Sequence, residues 1–219
     1  MEICKLKNIM ITGCGSGLGE SLVKRSVHYP VSIFPHYRNN YKNFESRCIY
    51  GDINDPDFLD VLSEKLEQYN IDVFINNAAV YSSGSLIDIS DEEIKNTITT
   101  NLISQILLLK RVYLYFNKKK FGMIININSL AGINPSKNES IYCASKFGLN
   151  GFSKSLQLES IDSKLEIVDV FPGAMKTKMT MGRKNYHLLM DTESVADTIY
   201  NIVLNDDYLV NEVVIRRKK

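Results

Sequence analysis

In the stretch "SIYCASK" (140–146) Tyr142 stands four residues before Lys146, and Ser129 lies upstream of both. Residues four apart share a helix face, so the ammonium can sit beside the phenol. A cation within ~4–6 Å favours the phenolate and lowers a tyrosine pKa from its usual value of about 10. Such a phenol protonates a carbonyl oxygen that is gaining a hydride and takes the proton back in the reverse reaction. A serine hydroxyl next to it donates to the same oxygen and stabilises its developing charge. Each residue also has an ordinary role: a packed tyrosine, a solvated lysine, a turn-forming serine. Only their joint placement argues for chemistry.

A hydride must come from a cofactor, and "ITGCGSGLGESL" (11–22) has the composition of a cofactor turn. Glycines after a strand let the backbone approach a pyrophosphate, and the following helix offers unpaired N–H groups and a positive dipole end. The spacing, Gly13-x-x-x-Gly17-x-Gly19, departs from the GxGxxG form. Ser16 and Leu18 lie inside the turn. An acidic residue about 20 positions further on would select NAD(H) by binding ribose hydroxyls. This chain instead reads "FPHYRNN" (34–40) there. Arg38 suits a 2'-phosphate through charge-assisted bonds, with Ser16 and Asn39 as further contacts, so NADP(H) is favoured over NAD(H).

The elements that must position these groups alternate along the whole chain. Strands are expected at 8–12, 31–34, 48–50, 72–76, 122–128, 165–171 and 211–216, with helices at 17–28, 56–69, 91–117, 140–160 and 192–205. Several strands are apolar at consecutive positions, as in a parallel sheet covered on both faces. The expected fold is a doubly wound α/β domain. Ser90 with Glu93 forms a capping-box pattern at the start of the helix over 91–117, and Pro172-Gly173 ends the sixth strand. No repeat or linker divides residues 1–219, so one dinucleotide-binding and catalytic domain is expected.

Charge excludes several partners. The 26 basic and 25 acidic side chains nearly cancel, so nothing points to nucleic acid or a charged membrane surface. The terminal run Arg216–Lys219 reads as a solvated tail. Cys4, Cys14, Cys48 and Cys143 are scattered, without metal-ligand spacing, and read as free thiols; no metal site is expected. The N-terminal segment lacks a long apolar run and no stretch approaches a membrane span. A cytoplasmic location is expected.

The motifs "TGCGSGLG" (12–19), "GDI" (51–53), "NNAA" (76–79), Asn101, "NINSLAG" (126–132), "YCASK" (142–146) and "PGAMKT" (172–177) come in an order that resembles the single-domain short-chain dehydrogenases/reductases. The resemblance spans most of the chain. It implies a seven-stranded parallel sheet in the order 3-2-1-4-5-6-7, with the active site at the carboxyl ends of the strands. It further implies a catalytic centre of Ser129, Tyr142 and Lys146, with Asn101 orienting a water that returns protons to Lys146. Asp52 and Ile53 would hold the adenine, Asn76 would stabilise the central strand, and Asn77, Ala78 and Ala79 would flank the cofactor. Pro172, Gly173, Met175 and Thr177 would meet the nicotinamide end. Pairing of helices 91–117 and 140–160 into a homodimer or homotetramer is implied too, with Ile94, Ile98, Leu102, Ile106 and Leu109 as the apolar face.

The chain departs from the family at Ala79, where glycine is commoner, and in the short stretch 178–191. The pocket is therefore expected to be open or completed by a neighbouring subunit, with Met175, Met179, Met181 and Tyr186 as candidate apolar lining. The reading that follows is an NADP(H)-dependent oxidoreductase acting on a small carbonyl or alcohol. The alternatives are a non-catalytic NADP(H)-binding regulator or scaffold and, on a related framework, a nucleotide-sugar epimerase or dehydratase.

Overall fold

The structure is a computed structural model and describes residues 6–39 and 47–218. Cys4 and Lys219 lie outside the described residues. Seven strands, β1 (Lys7–Ile11), β2 (Val31–Tyr37), β3 (Ile49–Tyr50), β4 (Val73–Asn76), β5 (Gly122–Ile127), β6 (Leu165–Pro172) and β7 (Glu212–Ile215), form one sheet. Its order is β3-β2-β1-β4-β5-β6-β7, every pairing parallel. The two central strands β4 and β5 are buried at every position, the physical counterpart of their unbroken apolar runs.

Helices α1 (Gly17–Arg25) and α6 (Thr192–Val203) cover one face; α2 (Pro56–Gln68), α4 (Ser104–Lys119) and α5 (Ser140–Glu159) cover the other. Side chains alternate along β1, sending Met10 into one core and Ile9 and Ile11 into the opposite one. Asp55 starts α2 by accepting the Asp57 N–H at 3.0 Å, and Pro56 fills the first turn, where no N–H partner is needed.

The helix expected over 91–117 is broken into α3 (Asp91–Ile98), a π-turn (Thr99–Ile103) and α4. The π-turn inserts one residue's worth of backbone and carries Asn101 inward. Ser90 Oγ accepts the Glu93 N–H at 3.2 Å, as a cap should, but the Glu93 carboxylate accepts from Ser82 Oγ at 2.9 Å rather than returning to the cap. Only half of the expected capping box is therefore used in capping. The expected pairing face also needs revision. Leu109 is fully buried and Leu102 packs on Gly148, so the outward apolar residues are Ile103, Leu107 and Leu114 on this segment and Phe147 on α5.

Candidate active site

All the strands end on one side of the sheet, and there a cavity of about 700 Å³ runs from the glycine turn to Tyr142. Behind its wall Thr12 is fully buried; its Oγ1 accepts from the backbone N–H groups of Asn77 (2.9 Å) and Ala78 (3.0 Å). Asn77 Nδ2 returns bonds to the carbonyls of Thr12 (2.8 Å) and Gly13 (3.2 Å). Gly13 adopts φ +72°, and a Cβ there would sit 2.8 Å from Ala78 Cα. At Gly19 the added carbon would lie 2.3 Å from Gly13 O. The turn thus needs glycine for conformation at the first position and for helix–strand approach at the second.

Ser16 precedes α1 with extended backbone and no side-chain capping bond, so the first-turn N–H groups and the hydroxyl face the cavity uncommitted by a cap. His36, which belongs to no motif, holds the turn from the other side. Its Nδ1 accepts the Gly13 N–H at 3.2 Å, so Nε2 is the protonated nitrogen and donates to Gly51 O at 2.8 Å. Burial holds its pKa below the ordinary histidine value, which keeps the ring neutral and Nδ1 an acceptor. Arg38 and Asn39 follow on the exposed rim of the same cavity. Asp52 Oδ1 accepts the Asn54 N–H at 2.9 Å. Asn54 bonds to Thr100 Oγ1 and Ser104 Oγ, tying this loop to the π-turn.

At the other end, α5 presents Tyr142 and Lys146 on one face. Ser129 caps the short turn Leu130–Gly132 through the Ala131 N–H (3.1 Å), and its side chain acts on the Tyr142 phenol, drawing its pKa down. Lys146 is buried; Nζ donates to Ile127 O at 3.1 Å and lies 6.0 Å from the Tyr142 ring centroid. Burial pushes the Tyr142 phenol up to about 12; the Ser129 bond opposes this, while the Glu139 carboxylate adds to it. Burial thus leads the shift at Tyr142, and the Lys146 ammonium is turned to the Ile127 carbonyl. Lys146 is itself drawn down to about 8 by burial, with Asp169 pulling the other way.

Asn101 sits in the π-turn that faces α5. Its side chain is fully buried and spans Val80, accepting the N–H at 2.8 Å and donating to the carbonyl at 2.8 Å, with a further bond to Ser145 Oγ at 3.3 Å. It holds the backbone at Val80, which lines the cavity. Gly19 likewise stands behind the cavity wall; every other predicted cofactor-side residue lines it. Asn76 meets Asn126 Oδ1 across β4 and β5 at 3.2 Å, the bracing role expected of it. Asn128, buried and lining the cavity, keeps both side-chain polar atoms without a protein partner among the described residues.

Over Tyr142 lies a group no motif announced. Tyr81 meets the Tyr142 ring edge-on at 5.2 Å, and its hydroxyl donates to Glu139 Oε1 at 2.6 Å. Arg183, from the stretch 178–191, reaches both Glu139 (2.6 Å) and the Tyr81 oxygen (2.8 Å). The short stretch therefore crosses the cavity mouth, its ends pinned by a Met175–Met190 bridge. Met175 and Met179 line the cavity; Met181 is 64 % exposed, and neither it nor Tyr186 is among the lining residues. Cys14, in the glycine turn, is buried and its thiol pushed up to about 12, so it is an inert packing group. Among the described residues no cluster of histidine, cysteine and carboxylates is suited to a metal ion, and no helix is long and apolar enough to cross a membrane.

One cavity thus joins a glycine turn at a helix N-terminus to Ser129, Tyr142 and Lys146 on a doubly wound fold. The family model for short chain dehydrogenases matches residues 7–187, and the chain belongs to that family. It is 30% identical over 184 residues to the 3-oxoacyl-[acyl-carrier-protein] reductase of Buchnera aphidicola subsp. Schizaphis graminum, covering 80% of this chain and 75% of the relative. Among solved structures it is similar to ElxO with NADP bound (TM-score 0.82, 21% identity, 96% and 97% of the two chains). It is also similar to a 4-hydroxyisoleucine dehydrogenase complexed with NADH (TM-score 0.83, 22% identity, 96% and 97%). At these identities the structural likeness speaks for the fold.

Proposed function

We propose that this protein interconverts a carbonyl and a secondary alcohol with NADP(H), using Tyr142 as the acid and base. The observation that carries the reading is the gathering of Ser129, Tyr142 and the buried Lys146 on the wall of the one cavity that begins at the glycine turn. The residues present fit a dinucleotide: Gly13 leaves room for close approach, Ser16 and the α1 N-terminus offer donors, and Asn77, Ala78 and Thr177 line the path to Tyr142. The cofactor, when bound, supplies or accepts the hydride. Arg38 beside Asn39 favours the phosphorylated form. The neighbours with NADP and with NADH show that the fold accepts both, so the preference rests on these two side chains.

Ser129 and Tyr142 orient the substrate oxygen by donating to it from one side. A phenol held at about 12 stays protonated near neutral pH, the state needed to donate to a carbonyl. As charge develops on that oxygen Tyr142 releases its proton, and the Lys146 ammonium opposes the charge left on the phenolate. In the oxidising direction Tyr142 must first be deprotonated, so that direction speeds up as pH rises. Asn101 acts indirectly, by holding Val80 and with it the Tyr81 side of the cavity. The exposed apolar residues Ile103, Leu107, Leu114 and Phe147 support assembly through α4 and α5.

Tyr142→Phe tests the reading. NADPH oxidation across a panel of carbonyls should fall by ~10²–10⁴ in kcat while NADPH affinity stays within a few-fold. Retained turnover overturns the assignment of Tyr142. Tight NADPH binding by the wild type with no turnover on any carbonyl supports the regulator alternative instead.

A further inference from the structure

Past Tyr142 the main cavity adjoins a second cavity of about 410 Å³, sharing Leu130, Gly173, Ala174 and Arg183 with it. This annex is lined by Arg183, Lys184 and Arg217 and by no carboxylate among the described residues. Lys178 and Arg216 extend the positive charge around the main cavity at the same end, where Glu139 is the facing acid. Glu139 is already engaged by Arg183 and Tyr81. Lys178, Lys184, Arg216 and Arg217 form no ion pair among the described residues. In a chain whose net charge is only +1, this one-sided grouping is local and is not the by-product of a basic protein.

The annex also has the form of a subsite. Leu130 and Leu189 give it apolar walls, and Asn185 adds an amide. Arg217 donates one bond to Leu188 O at 3.4 Å, which ties the chain end to the loop and leaves most of its five N–H donors uncommitted there. The first two residues of the tail are exposed, as expected of it, and also line the cavities, Arg216 the main one and Arg217 the annex.

We propose that the annex is an anion subsite and that the substrate carries a carboxylate or phosphate group close to its reacting carbonyl. The proposal rests on the carbonyl–alcohol reading above. With the carbonyl oxygen at Ser129 and Tyr142, the acidic group extends past Leu130 and Gly173 to Lys184 and Arg217. A guanidinium meets either anion with two parallel bonds, and the ammonium adds a point charge.

Two measurements test it. In the first, the cofactor-loaded protein is titrated by calorimetry with an alkyl carboxylate, an alkyl phosphate and the neutral amide of equal chain length. Either anion should bind more tightly than the amide by roughly tenfold or more, and Lys184→Gln or Arg217→Gln should each reduce that advantage roughly tenfold. The order of the two anions identifies the acidic group. Equal binding of all three, or an anion advantage that survives both substitutions, overturns the proposal. In the second, keto acids are compared with their methyl esters in turnover, and kcat/KM should favour the acids in the wild type and less so in either variant. Neutral ketones turned over as well as acids refute the anion subsite while leaving the carbonyl reading intact. No turnover of either set, with the anion advantage present in calorimetry, refutes the carbonyl reading and leaves the anion site standing. Both substituted residues are exposed, so folding is not at stake.

Discussion

Lys146→Met separates what this side chain costs the fold from what it does for the reaction. Burial lowers the Lys146 pKa from 10.5 to about 8. At ~1.36 kcal/mol per unit, holding the ammonium in place near neutral pH costs the folded state about 3 kcal/mol. Methionine has similar length and no charge, so this cost disappears. It also loses the donation to Ile127 O at 3.1 Å, and a carbonyl left unpaired costs ~1–3 kcal/mol. The balance predicts a variant as stable as the wild type or up to ~2 kcal/mol more stable, a rise of ~2–4 °C in Tm per kcal/mol. The sign with pH follows from proton binding. The unfolded lysine keeps its proton up to about 10.5 and the folded one only to about 8. Between those values the unfolded chain binds more protons, so wild-type stability climbs as pH rises through the window. The variant's advantage is therefore full below pH ~8 and closes towards ~10.5. Thermal melts across this range, paired with turnover assays, measure both halves. Turnover should fall by ~10² or more, since the phenolate loses the ammonium that shares its helix face. A variant destabilised by more than ~1 kcal/mol at neutral pH, or a gap that does not narrow with pH, would refute the reasoning.

Gly19→Ala should weaken NADPH binding at least ~10-fold, because the new carbon lies 2.3 Å from Gly13 O and must push the turn out of shape; unchanged affinity by fluorescence titration would contradict the packing argument. Arg38→Gln should reduce the ratio of NADPH to NADH affinity by ~10-fold or more, while a ratio that stays constant would remove Arg38 from cofactor choice. Glu139→Gln takes away a negative charge that holds the Tyr142 phenol up and leaves Arg183 as an uncompensated cation beside it. Both changes favour the phenolate, so the rise of alcohol oxidation with pH should move to lower pH; a shift to higher pH would show that Glu139 acts otherwise.

Much of this site was legible without coordinates because its parts are local. Tyr142 and Lys146 share a face through helix periodicity alone, and the glycine turn declares itself by composition and by its place between strand and helix. The parallel sheet was legible for the same reason: strands buried on both faces have no polar side to alternate. Other features were not readable this way. Neither the π-turn that turns Asn101 towards Val80 nor the diversion of Glu93 to Ser82 follows from a periodicity that continues unchanged across residues 91–117. His36 looked like one more residue of a strand until Gly13 and Gly51 were seen on either side of its ring.

The amino-acid sequence by itself determined the doubly wound fold, the glycine turn between strand and helix and the shared helix face of Tyr142 and Lys146. These depend on short-range spacing and on motif order. Only the tertiary structure decided how the groups act on one another. Burial raises the Tyr142 phenol, and desolvation depends on everything packed around it, which no interval in sequence encodes. The Glu139–Tyr81–Arg183 cluster and the cationic annex join residues 44 to 102 positions apart and a chain end to a loop. Contacts at such separations arise only when the sheet brings its strand ends to one side.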